Sequence, residues 1–330
     1  SPPADRPLSE SPMMQHRSIN SANQTSRPAV CRGSRRAAFT LIELLVVIAV
    51  IALLVGILLP SLAKARKTAA VTRESSMIRQ MMVAYSAYSG DAKDGLLPGY
   101  LRGSWADPVK RRFIVPLSPD DSSEAGRLSG SVIRPYTWRL RPYLGYSDAA
   151  FVSDKNFLRT LNDLPRDPAN AAGYERVLAR HPAFGLNTTF VGGDAHRGGY
   201  YLPSFLRWGP FYVTRMDQPI STDKLMVFAT SRGVQTDTGG MIVPGYHRVE
   251  APWHATPTSN SVPAFVPWLA PRGRVDLTLP TTAYGRLDFR CFGKVLAAMM
   301  DGHAEQLSLE QMYDMRRWSN RATRADWRPQ

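Results

Sequence analysis

From Phe39 to Leu59 the chain runs for 21 residues with one ionisable side chain, Glu43, and Leu44 to Leu59 contains no polar side chain at all. As a helix rising ~1.5 Å per residue, this run is about 31 Å long, close to the thickness of a bilayer's hydrocarbon layer. That length and purity predict a membrane-spanning helix. A carboxylate near the end of such a span costs on the order of 2–3 kcal/mol unless it finds a partner or water. Glu43 lies one helical turn after Phe39 and shares its face. A cut between Ala38 and Phe39 would create an α-ammonium able to neutralise Glu43 of the same chain or of a neighbour.

The string Arg35-Arg36-Ala37-Ala38, followed by Phe39-Thr40-Leu41-Ile42-Glu43-Leu44-Leu45-Val46-Val47-Ile48, resembles the N-terminus of type IV prepilins and type II secretion pseudopilins. The resemblance implies that prepilin peptidase removes a basic leader, residues 1–38, and that the new N-terminal Phe39 is methylated. It implies that Glu43, fifth after the cut, directs docking with other pseudopilin subunits in the inner membrane. Pro60 falls where the family tends to carry a helix-loosening proline. Ala38 departs from the glycine that the family prefers before the cut, so slower cleavage is expected. A plain signal anchor has no use for Glu43, and a cleavable secretory signal would have a shorter apolar run. The leader is expected in the cytoplasm and the remainder in the periplasm, with a single pass between. The positive charges do not decide this: Arg27, Arg32, Arg35 and Arg36 before the helix face Lys64, Arg66, Lys67 and Arg73 after it.

The chain has 330 residues, of which 44% are hydrophobic, enough for a leader, a membrane helix and a globular core. It begins at Ser1, and an initiator methionine is expected upstream. Residues 1–38 are rich in Ser, Pro and Arg without periodicity and read as disordered. They carry six arginines against Asp5 and Glu10, a net +4 of the chain's +14. The basic remainder is compatible with an acidic polymer as partner, DNA or a glycan, but fits an arginine-rich solvated surface better. Of the two cysteines, Cys31 leaves with the leader and Cys291 remains alone, so no internal disulfide is expected in the processed chain.

Beyond Pro60, the residues Val71, Ile78, Met81, Met82, Tyr85 and Tyr88 recur at three- and four-residue steps. They predict an amphipathic stalk helix over 60–90 whose apolar stripe lies on a head formed by 91–330. Gly90 to Gly95 reads as the helix stop, with Asp91 and Asp94 suited to turns and too few for a calcium loop. Residues 103–131 read as a polar surface insertion. Phe184-Gly185-Leu186-Asn187 reads as a turn entering a strand, and the prolines of 231–285 predict long loops rather than a central sheet. The fold class expected is α+β: a long N-terminal helix packed on an antiparallel β head with long irregular insertions.

Near the C-terminus, Val295–Met300 and His303–Leu307 flank Asp301-Gly302, predicting a hairpin with a two-residue type I′ turn. Ser308 and Gln311 have capping-box spacing and predict a helix with Met312, Met315 and Trp318 on one side. Residues 290–327 resemble the prepilin-processing-associated domain named for a His, nine residues and Asp-Gly. Asp301, Gly302 and His303 match, as does the tail Asp314–Asn320, but the family's leading His falls on Cys291. That replacement leaves a thiol fit for packing or a soft metal.

The six histidines form no His-Glu-x-x-His, and neither a nucleophile elbow nor a phosphate loop is present. Asp194-Ala195-His196 is a short acid–His cluster, and His247 and His254 sit in loops. No catalytic residue, cofactor or metal is expected, and the chain is expected not to be an enzyme. Two readings remain: a pseudopilin-like structural subunit of a type II secretion-like filament, or a minor pilin whose basic head binds DNA or an acidic glycan. Arg207-Trp208 and Arg316-Arg317-Trp318 are the candidate stacking clusters of the second reading.

Overall fold

The computed structural model describes residues 40–101, 103, 115–119, 127–128, 130–167, 172–197, 199–200, 202–235, 240–256 and 264–328. The leader, Ala38 and Phe39 lie outside these, as does most of the expected insertion 103–131. The chain divides into two compact units, Ser1–Ile57 and Leu58–Gln330.

In the first unit, the described residues form the start of α1, which as a whole covers Leu41–Asp91. Every described residue of this unit is exposed, as an apolar run built for lipid rather than for a protein core should be.

In the second unit, Pro60 sits inside α1 rather than ending it. Proline has no N–H for the carbonyl four residues earlier, and the helix continues past it through the bonds on either side; Ser61 Oγ adds a bond to a different carbonyl, that of Leu58, at 2.8 Å. The sequence stripe reappears in the packing. Met77, Ile78, Met81, Met82, Ala84 and Tyr85 are buried, with Val71 and Tyr88 half-buried at the margins. α1 stops because Lys93 (φ 55°) and Asp94 (φ 65°) take left-handed backbone. Asp91 accepts from the Tyr143 hydroxyl at 3.0 Å, and Asp94 lies 3.5 Å from Arg215, so both acids of the turn serve contacts within the protein.

Short antiparallel pairs decorate the head: β1 (Val115–Pro116) with β2 (Arg127–Leu128), and β3 (Arg166–Asp167) with β4 (Ala172–Gly173). The central sheet uses β5 (Phe184–Leu186) and β6 (Met226–Thr230). Then follow the pairs β7 (Gly233–Gln235) with β8 (Met241–Val243), and β9 (Trp253–Ala255) with β10 (Phe265–Pro267). The hairpin β11 (Val295–Met299) and β12 (Ala304–Leu307) completes the sheet in the order β12-β11-β6-β5, antiparallel throughout. The short helices are α2 (Thr137–Leu140), α3 (Lys155–Asn162), α4 (Tyr174–Arg180), α5 (Leu202–Trp208) and α6 (Leu309–Met312).

β11 is buried along its whole length because the sheet is covered on both faces. Its side chains alternate between two cores, as a period of two requires. Leu296, Ala298 and the following Met300 join α1 and Phe228 in the first core, where Tyr85 meets Phe228 edge-on at 5.7 Å. Val295, Ala297 and Met299 join Trp268, Tyr284, Met312, Met315 and Trp318 in the second.

Three sequence expectations change. Phe184–Leu186 is itself a strand, and the turn follows it at Thr188–Phe190, because the small Gly185 lets β5 approach Arg248 and Val249 closely. The Asp301-Gly302 hairpin has a three-residue loop rather than a type I′ turn. Gly302 donates to the Met299 carbonyl at 2.9 Å and Met299 to His303 at 2.9 Å, with positive φ at Gly302 (93°) but not at Asp301. The Ser308–Gln311 capping box is present, yet α6 ends after one turn. Asp314 then caps a separate 3₁₀ turn, Met315–Arg317, and this break brings Met312, Met315 and Trp318 together in the second core.

Candidate functional site

The first functional element is the N-terminus of α1. Thr40 precedes the first helical residue, and Glu43 occupies the third helical position. Glu43 Oε2 accepts from the Thr40 backbone N–H at 2.9 Å and from its hydroxyl at 2.8 Å, while the Glu43 N–H donates back to Thr40 Oγ1 at 3.2 Å. This is a reciprocal capping box, which satisfies helix donors that would otherwise face hydrocarbon. The carboxylate also lies at the positive end of the helix dipole. Thr40 was not among the sequence-selected residues, although Thr-x-x-Glu before an apolar run carries the signal.

The second element is the Cys291–Asp301-Gly302 spacing at the C-terminal hairpin. Cys291 and Asp301 bracket β11 and do not form one site. Cys291 is buried, its Sγ 3.5 Å from Glu74 Oε2 of α1. Burial, then the Glu74 carboxylate, pushes its thiol up to about 12, so it is a protonated packing group. At the other end, Asp301 Oδ1 meets His303 Nδ1 at 2.7 Å on the exposed hairpin tip. Gly302 supplies the left-handed loop position described above.

What sequence inspection did not single out is Arg290. Its Nε lies 2.8 and 3.0 Å from the two Glu74 oxygens, and its Nη1 donates to Asp288 Oδ2 at 2.9 Å and to the Ser231 carbonyl at 3.1 Å. Nη2 reaches the Ala183 carbonyl at 3.0 Å. One guanidinium therefore clamps α1 to strand ends of the central sheet.

Residues 33–59 match the family model described as the prokaryotic N-terminal methylation motif. The N-terminus is prepilin-type. The match supports a type IV pilin-like protein, processed by prepilin peptidase and assembling with other pilin-like subunits. The apolar helix of this pilin-like chain is consistent with a single-pass inner-membrane anchor. No curated protein and no solved structure matches the chain.

The head of the pilin-like chain gathers residues that lie far apart in sequence. Asp194, fully buried, accepts from the Thr188 hydroxyl at 2.6 Å and the His196 N–H at 2.8 Å, with Arg248 at 3.6 Å. Glu250 binds Arg197, lies 3.3 Å from Arg248, and meets His254 at 3.8 Å. Burial alone would raise the Glu250 carboxyl, but Arg197, Arg248 and His254 outweigh it and hold it at about 2. His254 is pulled below its usual range, by burial above all. Among the described residues, no group of three or more His, Cys, Asp and Glu is arranged to hold a metal.

One of the expected stacking clusters is part of the interior. Trp318 is fully buried and donates to the Met312 carbonyl at 2.8 Å, while Arg316 pairs with Asp314 and Arg317 with Glu305. The rings of the second core need Trp318, so it has no face left for a ligand. Arg207 does lie near Trp208, 5.7 Å from the ring, but Trp208 packs edge-on against Phe211 and Phe265.

Proposed function

We propose that this chain is a pseudopilin-like structural subunit, not an enzyme, that joins a periplasmic filament of a type II secretion-like system. The observation that carries this reading is the capped carboxylate of Glu43 just before the apolar run Leu44–Leu59 of α1, inside the prepilin-type motif. Prepilin peptidase cuts between Ala38 and Phe39, leaving the leader in the cytoplasm and the head in the periplasm. Thr40 directly follows Phe39, so the capping box holds Glu43 at the end of the helix where the cut creates an α-ammonium. A second subunit's ammonium can then pair with Glu43, and the exposed face from Leu44 to Leu59 packs against neighbouring helices. The large head, whose C-terminal hairpin resembles the domain named for His, nine residues and Asp-Gly with Cys291 in place of the His, suits a specialised rather than a minimal subunit.

Mass spectrometry of the N-terminus from the membrane fraction tests the proposal. An N-methylated Phe39 terminus is expected. An intact leader, or a cut elsewhere, would reduce this segment to an anchor.

A further inference from the structure

Between Leu59 and Val71, α1 runs bare. Every residue from 61 to 70 is exposed, and the first buried side chain of the helix is Met77. This stretch reads Ser-Leu-Ala-Lys-Ala-Arg-Lys-Thr-Ala-Ala. It holds its helix without packing, because alanine, leucine, lysine and arginine are among the strongest helix formers. Ser61 Oγ donates to the Leu58 carbonyl at 2.8 Å and Thr68 Oγ1 to the Lys64 carbonyl at 3.1 Å, so both hydroxyls are used within the helix. The polar groups left to reach outward are Lys64, Arg66 and Lys67. None of the three forms an ion pair among the described residues.

Helical spacing tells which side of α1 these cations occupy. Lys64 stands two turns before Val71 and Lys67 two turns before Glu74, so each shares the side of the residue it precedes. Arg66 stands three turns before Met77 on that same side. Val71, Glu74 and Met77 are covered by the head. The collar therefore continues the head-facing side of α1 into a stretch that the head does not cover. A second α1 laid along this side would meet the head beyond Val71. It would also bring the same three cations, and no Asp or Glu lies between Glu43 and Glu74 to receive them. The occupant must be anionic and confined to the roughly 18 Å of helix between Leu59 and Val71.

We propose that Lys64, Arg66 and Lys67 bind the anionic phospholipid headgroups of the leaflet on the head's side of the membrane. The apolar run ends at Leu59, with Leu62 exposed just beyond it. Lys64 follows Leu59 by about 7.5 Å of helix and Lys67 by about 12 Å. A headgroup layer is roughly 5–7 Å deep, and long basic side chains reach back towards it while their stems lie along the helix. The three charges thus fall within about one Debye length, ~8 Å, of the phosphates. Headgroups held there fix the depth at which α1 sits in the bilayer. This binding requires only that α1 span a membrane, and it stands whether or not the chain is cleaved or joins a filament.

The test uses the full chain in phosphatidylcholine bilayers containing a trace of spin-labelled phosphatidylglycerol or spin-labelled phosphatidylcholine. Electron paramagnetic resonance reads the fraction of label immobilised by the protein. The anionic lipid is expected to associate at least about fivefold more strongly, the factor that one basic residue near an anionic surface supplies. The preference should collapse at about 1 M salt, where charges are screened within roughly 3 Å. Combining Lys64→Gln, Arg66→Gln and Lys67→Gln should remove most of it. Helicity and thermal midpoint should stay unchanged, since the three side chains are exposed and glutamine is a comparable helix former. The leader's arginines are the same in both proteins, so the difference between them reads the collar. Arg79→Gln, at an exposed position about 30 Å of helix beyond Leu59, should change nothing. No lipid preference in the unmodified chain, a preference kept by the triple variant, or an equal loss in Arg79→Gln would each overturn the proposal. So would collar-dependent association of labelled copies without lipid preference, which would make a second copy the occupant.

Discussion

Arg290 grips Glu74 with Nε 2.8 Å from one carboxylate oxygen and 3.0 Å from the other, across 216 positions of sequence. Both side chains are mostly buried, and the same guanidinium also holds Asp288 and two backbone carbonyls. Removing Glu74 takes away one of the two carboxylates that balance this mostly buried guanidinium and leaves Asp288 alone with it, which costs more than the Glu74 pair itself contributes.

Glu74→Ala should therefore destabilise the head by about 3 kcal/mol, the low end for a broken buried pair. Denaturant unfolding of the detergent-solubilised protein reads this directly. Loss of less than about 1 kcal/mol, the level of a surface pair, would show that the clamp contributes little.

The two roles of the α1 N-terminus can be separated. Thr40→Ala removes the hydroxyl of the capping box and should cost about 1 kcal/mol of helix stability while leaving assembly intact. Glu43→Ala removes the carboxylate as well and should abolish filament incorporation, measured by cross-linking in membranes. Equal assembly of both variants would mean that Glu43 serves only as a cap.

Acid should unfold the head in two stages. His247, His196 and His254 all have folded pKa values below the usual 6.5, burial being the main cause. The unfolded chain binds those protons first, so stability begins to fall as pH drops below 6.5. Glu250 is depressed from 4.5 to about 2, so its contribution is complete above 4.5 and is lost as pH falls towards 2. Its share is roughly 3 kcal/mol by linkage. Unfolding free energies measured from pH 7 to 3 should show both declines, and Glu250→Gln should remove the lower one. A flat profile between pH 6.5 and 4.5 would rule out the histidine contribution.

Cys291 should resist alkylation in the folded protein and react fully in denaturant. Burial places the thiol out of reach and keeps it protonated. Peptide mapping after iodoacetamide treatment distinguishes it from Cys31, and rapid native labelling of Cys291 would contradict the packing described.

Trp318→Ala should cost about 3–5 kcal/mol, since the indole is fully enclosed by the second core and its N–H is paired. A loss below about 1 kcal/mol would mean that the ring is not a core element.

Local physics was legible from sequence wherever one segment carried its own signal. The apolar run, the stripe from Val71 to Tyr88, the Asp-Gly hairpin and the Ser308 cap each depend on residues a few positions apart, because helix and strand periodicities and capping spacings are short-range. The Thr40–Glu43 cap belongs to this class, and its spacing was visible even though Glu43 alone drew attention. Errors arose where neighbours in space overrode that signal. The order of strand and turn at Phe184–Phe190 depends on the close approach of Arg248 and Val249 to Gly185, and the short α6 depends on the second core drawing in Trp318.

By itself the sequence determined the membrane-length helix, its single carboxylate and the prepilin-type motif, since their physics is complete within residues 33–59. Only the tertiary structure decided that Arg290 would find Glu74 and that Trp318 would be interior. Such contacts join residues dozens to hundreds of positions apart. Their partners are set by chain topology and by the requirement that buried charges be paired, and neither leaves a mark on local spacing.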